Sequence, residues 1–235
     1  MPETIEISAS AGYHRRGRPG ALNDLLRVAG QLIIPAVHSA LVDFSVASDR
    51  MATHSYTSGV AKLDTYETTI VQEWVRYMAS HAAFSQYGLA WESKFLTGRR
   101  GRPPAVDIVI EDSRSNAWRR VALIEVKVSE KELDVTALWN DAKKLWELKA
   151  DSDGAATPVK GKLLVVNIVR DLRVGTLTEF QSIVKQLTDD SKAWTPRLDA
   201  VFTAVFPVFR PSREGSLDPM WIVHGAAGFE LRTRD

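Results

Sequence analysis

The chain has 235 residues, enough for one sizeable domain with its own core but short for two. Its 45% hydrophobic and 25% charged residues match an ordinary soluble globular protein, which excludes a disordered, fibrous or membrane-embedded class. Thirty Lys and Arg against 29 Asp and Glu leave a net charge of +1, so a nucleic-acid partner can be argued only from local clusters, and the lack of cysteine excludes disulfides, zinc–thiolate sites and a catalytic thiol.

Residues 1–20 mix Gly, Pro, Ser and basic residues (HRRGRPG) and read as a flexible arm, because they offer little apolar surface to bury. The start MPETIEISAS lacks a basic segment followed by an apolar run, and no stretch reaches the roughly 18 apolar residues of a membrane span. A cytoplasmic protein with no membrane partner is therefore expected. The segment ALNDLLRVAGQLIIPAVHSALVDF is apolar enough to pack, but Gly30 and Pro35 leave it open between two short helices and a helix followed by a strand. SDRMATHSYTSG, residues 48–59, is polar and turn-rich and reads as a linker or surface loop. These features divide the chain into an N-terminal arm and extension, 1–60, and a main domain, 61–235.

From Asp64 onward Ile70, Val71, Trp74, Val75, Met78 and Ala82 recur at helical spacing and define one apolar face. LAWESKF, AVDIVI and VALIEVKV then read as three strands separated by polar, turn-prone stretches. SEKE offers a capping box at Ser129 and Glu132, after which Val135, Leu138, Trp139, Ala142, Leu145 and Trp146 continue at helical spacing. KLLVVNIV reads as a strand buried on both faces, and a helix follows over about 176–187. The remainder holds a strand at AVFTAVFPVF, placed toward a sheet edge by Pro207, and a short one at MWIVH. The order α, three β, α, β, then an α and β addition, predicts an α/β sandwich with a mixed sheet.

Chemistry concentrates on two of the strands. Side chains alternate along a strand, so Val121, Leu123, Glu125 and Lys127 share one face of VALIEVKV, and an acid and a base in so apolar a run are expensive to bury without partners. The preceding strand contributes Asp107, a lone acid in AVDIVI, which adjacent pairing brings beside Glu125. Two neighbouring carboxylates attract a cation, and oxygen-only ligands suit Mg2+ or Mn2+. Lys127 would orient or deprotonate a water, or balance charge developing on a phosphate.

Asp107, seventeen intervening residues, and then Glu125-Val126-Lys127 resembles the PD-(D/E)xK nuclease superfamily, whose fold is the restriction-endonuclease-like one. That family's core, αβββαβ with a mixed central sheet flanked by helices, corresponds to residues 64–170 and leaves N- and C-terminal additions. The resemblance implies a metal-dependent endonuclease or exonuclease acting on DNA. Asp107, Glu125 and the Val126 carbonyl would bind Mg2+ (or Mn2+), and Lys127 would be the catalytic lysine. Val106 stands before Asp107, and the nearest proline is Pro104, a position at which the family is loose.

Many members add a glutamate from the first helix. Glu67 falls within the apolar face of the helix here and Glu73 well away from it, so Glu67 is favoured, although Asp64-x-x-Glu67 also fits a capping box. Glu92 on LAWESKF is a third candidate. Lys94, Arg99, Arg100 and Arg102 cluster at the turn between the first two strands and read as a basic loop gripping phosphates, with a solvated turn as the bland alternative. His14, Arg15, Arg16 and Arg18 in the arm carry the same two readings. Lys143 and Lys144, opposite an apolar helix face, read as solvated, and Trp74, Trp139 and Trp146 as core. A restriction-type enzyme would use residues 1–60 and the region after 170 for homodimerisation or sequence reading. The rival from another class is an inactive nuclease-fold protein that binds nucleic acid or serves as a scaffold subunit.

Overall fold

The computed structural model describes residues 10–13, 21–52, 63–94, 105–112, 119–129, 133–148, 159, 161–171, 176–210 and 220–232. In chain order the elements are β1 (Ser10–Tyr13), α1 (Ala21–Ala52), α2 (Leu63–Ser80), β2 (Tyr87–Lys94), β3 (Ala105–Asp112), β4 (Arg119–Ser129), α3 (Val135–Glu147), β5 (Gly161–Asp171), α4 (Thr176–Asp190), β6 (Arg197–Arg210) and β7 (Met220–Arg232). The strands form one mixed sheet in the order β1-β6-β7-β5-β4-β3-β2, in which β4 and β5 run parallel and the other neighbours antiparallel. The succession α2-β2-β3-β4-α3-β5 is the one the hydrophobic pattern predicts.

Both faces of the sheet are covered. On one, Leu26, Ala29, Ile33 and Val37 of α1 and Ile70, Trp74 and Met78 of α2 pack with Ile108, Ile110, Ala122, Ile124 and Val126. On the other, Leu138, Ala142 and Leu145 of α3 and Phe180, Val184 and Leu187 of α4 pack with Leu123, Leu164, Val166 and Phe229. This double cover explains why β5 is apolar without alternation. Trp74, fully buried, donates its indole N–H to the Ala29 carbonyl at 2.8 Å and so ties α2 to α1.

Several expectations change. Residues 21–52 form one 32-residue helix that continues through Pro35, because Ile33, Ala36, Val37 and Ala40 are all buried around it and their packing outweighs a helix-interior proline's cost of about 3 kcal/mol. The expected linker therefore begins five residues later than its composition suggested, since residues 48–52 belong to this helix; residues 53–59 lie outside the described part. Residues 10–13, expected within the flexible arm, pair with β6 from Ser10↔Val205 to Tyr13↔Phe202. A sheet edge recruits backbone groups and needs no apolar pattern to do so.

Strand β6 lies inside the sheet, not at its edge. Pro207 is tolerated there because β1 covers β6 only from Phe202 to Val205. Helix α3 begins at Val135 with Asp134 as its cap, whose carboxylate accepts the Ala137 N–H at 3.0 Å, in place of the expected Ser129–Glu132 box; Ser129 completes β4. Ala82 is exposed in a 3-10 turn beyond the end of α2.

At the other end of α3, Lys162 of β5 donates to the carbonyls of Trp146 (2.5 Å) and Leu148 (2.8 Å), placing a cation where the helix dipole is negative. Burial nevertheless pushes its ammonium pKa down to about 8. Phe202 marks the tightest packing, since a side chain built on either Gly30 of α1 or Gly228 of β7 would overlap its ring. Gly228→Ala should destabilise the fold by about 1–3 kcal/mol through overpacking, read as a lower urea midpoint with an unchanged slope.

Candidate functional site

Strands β3 and β4 pair from Asp112↔Arg119 to Ile108↔Ile124, and there the pairing ends while β4 runs on beside β5 to Ser129↔Ile168. The amides on the β3 side of β4 thus lose their ladder partners inside a half-buried wedge, where a free N–H would cost roughly 1–3 kcal/mol. Acidic side chains replace the missing strand. Asp107, one residue past the last pair, accepts the Val126 N–H on Oδ2 at 2.7 Å. Glu67, from the first turns of α2, accepts the Val128 N–H on Oε2 at 3.0 Å. The Glu67 carboxylate thus serves the open edge of the sheet.

Glu125 and Lys127 point to the α3 side of β4, and α3 answers each with the opposite charge. Lys144 Nζ donates to Glu125 Oε1 at 2.5 Å. Lys127 Nζ lies 3.6 Å from Asp141 Oδ2 and 3.6 Å from Glu67 Oε1. The spacing fits: three residues along a helix rise about 4.5 Å and two along a strand about 6.6 Å, distances that long side chains bridge. Asp141 and Lys144 are the residues that sequence reasoning missed, Lys144 having been read as solvated. The available signal was their spacing of three beside the apolar stripe Leu138, Ala142, Leu145, which sets both at the border of the face turned to the sheet.

Burial and mutual repulsion distort the proton affinities. The Glu125 carboxyl is pushed up to about 7, first by burial and then by the Asp107 charge, against the pull of Lys144. Burial also raises Asp107, opposed by its bond from Val126 and by Lys127 and Lys144. Glu67 is raised by burial, opposed first by Lys127. For Lys127, burial alone would lower the pKa, but Glu67, Asp141, Glu125 and Asp107 together outweigh it and hold the ammonium charged.

The donor set suits a divalent cation. When all groups are ionised, the four carboxylates of Glu67, Asp107, Glu125 and Asp141 against the ammoniums of Lys127 and Lys144 leave two negative charges in a partly dry wedge. Glu125, only 3% exposed, keeps its Oε2 buried without a hydrogen-bond partner among the described residues. The Val126 carbonyl emerges on the same open strand edge as its N–H, because a strand residue's two backbone groups point the same way. Asp107, Glu125 and the Val126 carbonyl are thus the groups that would hold a metal. No group of three or more His, Asp and Glu side chains among the described residues forms a ready-made metal site. Glu125 is instead shared with an ammonium.

Among the described residues the other candidates form no hydrogen bond or ion pair with this cluster. Glu73, expected away from the apolar face, is buried at 7% exposure and pairs with Arg76 at 3.1 Å. Glu92 is exposed, with a left-handed φ of 50° at the β2 position opposite Asp107, between the pairs Trp91↔Ile108 and Ser93↔Val106. Lys94 ends β2 exposed to solvent. Arg99, Arg100 and Arg102, with His14, Arg15, Arg16 and Arg18 of the arm, lie outside the described residues. Trp74 is core as expected and Trp146, partly buried, packs against the core on the α3 side, whereas Trp139 is partly buried outside both clusters; the ammoniums of Lys143 and Lys162 lie 5.3 Å from the ring centres of Trp139 and Trp146 respectively.

Compared with known proteins, the chain matches no family model, no curated protein and no solved structure.

The raised Glu125 pKa sets a pH dependence. A carboxyl that binds its proton more tightly when folded stabilises the protein fully below its unfolded value near 4.5, and that stability is lost as pH rises through about 7. With chelator present, the denaturation midpoint should fall between pH 4.5 and 7, and Glu125→Gln should flatten that fall. An equally steep profile in the variant would remove Glu125 as its source.

Proposed function

We propose that this protein is a metal-dependent nuclease of the PD-(D/E)xK type, hydrolysing phosphodiester bonds in DNA with Mg2+ or Mn2+. The observation that carries the reading is the wedge where β3 leaves β4, which gathers Asp107, Glu125, Lys127 and Glu67 at one open strand edge. The αβββαβ succession from α2 to β5 supports it as the restriction-endonuclease-like core.

Hydrolysis of a phosphodiester forms one bond from water oxygen to phosphorus, breaks one bond to the leaving oxygen, and moves a proton from the water to that leaving group. Asp107, Glu125 and the Val126 carbonyl would hold the ion, whose contribution is to acidify a water and polarise a phosphate oxygen. Lys127 is kept protonated by the carboxylates around it, which favours stabilising negative charge on the phosphate over abstracting a proton. Glu67 holds Lys127 from the α2 side and caps Val128, and so positions the lysine as well as adding negative charge to the site. Lys94 and the arginines following it would supply sequence-independent phosphate contacts.

A second reading has its own support. Each of the four carboxylates already has a lysine or amide partner, so the network can serve as a structural ion cluster in a catalytically inactive nucleic-acid-binding or scaffold protein. Cleavage assays separate the two. Asp107→Ala and Lys127→Ala should each reduce Mg2+- or Mn2+-dependent cleavage of single- and double-stranded DNA by at least about 100-fold, with circular dichroism unchanged. Undiminished cleavage in both variants would defeat the assignment, and wild-type protein that binds DNA without cleaving it would favour the structural cluster.

A further inference from the structure

Lys144 holds Glu125 more closely than any other ion pair near the site, yet the two ends of that contact are unequally fixed. Glu125 is almost wholly enclosed, its side chain 4% exposed, while the Lys144 side chain is 32% exposed. Lys127 is held from two sides, by Glu67 and by Asp141, and has two carboxylates to leave if it moves. Among the described residues Lys144 has one ion-pair partner, Glu125. Its helix is anchored independently, since the Lys162 ammonium holds the carbonyls at the end of α3. A change at Lys144 can therefore be a side-chain rotation with the backbone in place.

We propose that Lys144 is the ammonium that a divalent cation displaces from Glu125, and that the released ammonium then binds the substrate phosphate. The inference rests on the metal-centre reading above. A cation that takes up Glu125 oxygens competes with the Lys144 contact and repels its charge at short range. The ammonium swings to the exposed side of α3 but stays tethered beside the centre. The ion and Lys127 balance three of the four carboxylate charges, and Lys144, no longer held by Glu125, is the ammonium that an arriving phosphodiester meets. Lys144 would thus hold the acid in place before metal binds and hold substrate afterwards.

Removing this ammonium should move two affinities in opposite directions, which a purely structural ion pair would not do. In the 235-residue chain, Lys144→Met and Lys144→Gln should each bind Mn2+ about tenfold more tightly by calorimetry without substrate, because the competing charge is gone. The same variants should bind a labelled DNA oligonucleotide, with Ca2+ supporting binding without turnover, about tenfold more weakly than wild type. The dependence of log affinity on log salt should lose about one unit of slope, as expected for one phosphate contact. Lys144→Arg should keep oligonucleotide affinity near wild type. The glutamine variant retains a hydrogen-bond donor and guards against the methionine variant failing to fold.

Wild-type Mn2+ binding that is unchanged or weakened in both variants overturns the displacement. Tighter Mn2+ binding with unchanged oligonucleotide affinity and salt slope overturns the assignment of the released ammonium to phosphate. If neither wild type nor variants bind Mn2+, the metal-centre reading fails and takes this inference with it, an outcome distinct from wild-type binding that Lys144 does not influence.

Discussion

Glu125 and Lys127 sit on a strand covered on both faces, and everything distinctive about this molecule follows from compensating them. Neither charge can remain in such a place without partners, since an uncompensated buried ion costs several kcal/mol. Asp141 and Lys144 from α3 and Glu67 from α2 supply opposite charges. The compensation is incomplete in one respect, because acids outnumber bases around the pair and one Glu125 oxygen has no hydrogen-bond partner among the described residues. A fold selected for stability alone would replace such a cluster with apolar side chains at little cost or even a gain. Its presence is the physical motive for proposing a cation at the site.

The wedge between β3 and β4 is the second requirement. Parting two strands in the middle of a sheet leaves backbone amides without partners, and here carboxylates take them. Asp107 and Glu67 therefore have two roles: they repair the opened strand edge and concentrate negative charge there. Those roles are linked, because the bond from Val126 holds the Asp107 carboxylate beside Glu125. Beneath the wedge Ile108, Ile124 and Val126 pack in one apolar cluster with residues of α1 and α2.

Much of this was legible before the fold was known. The period-two alternation of VALIEVKV put Glu125 and Lys127 on one face, and the lone acid in AVDIVI marked Asp107. The helical wheel separated Glu67 from Glu73 as the acid directed toward the sheet, although it did not foresee that Glu73 would be buried. Contributions from α3 were not legible. Lys144 looks solvated when only its own helix is considered, because whether a border position meets water or a neighbouring strand depends on what lies across from it.

Local pattern by itself determined the identity and order of the central elements and the placing of Asp107, Glu125 and Lys127, since side-chain alternation and helical periodicity are properties of a few consecutive residues. Tertiary structure alone decided that residues 10–13 complete a sheet edge, that α1 continues through Pro35, that Pro207 falls within an inner strand, and that Asp141 and Lys144 enter the site. Each of those outcomes depends on a partner distant in the chain. Backbone pairing, burial and ion pairing are energies of contact, and no window of sequence contains both sides of the contact.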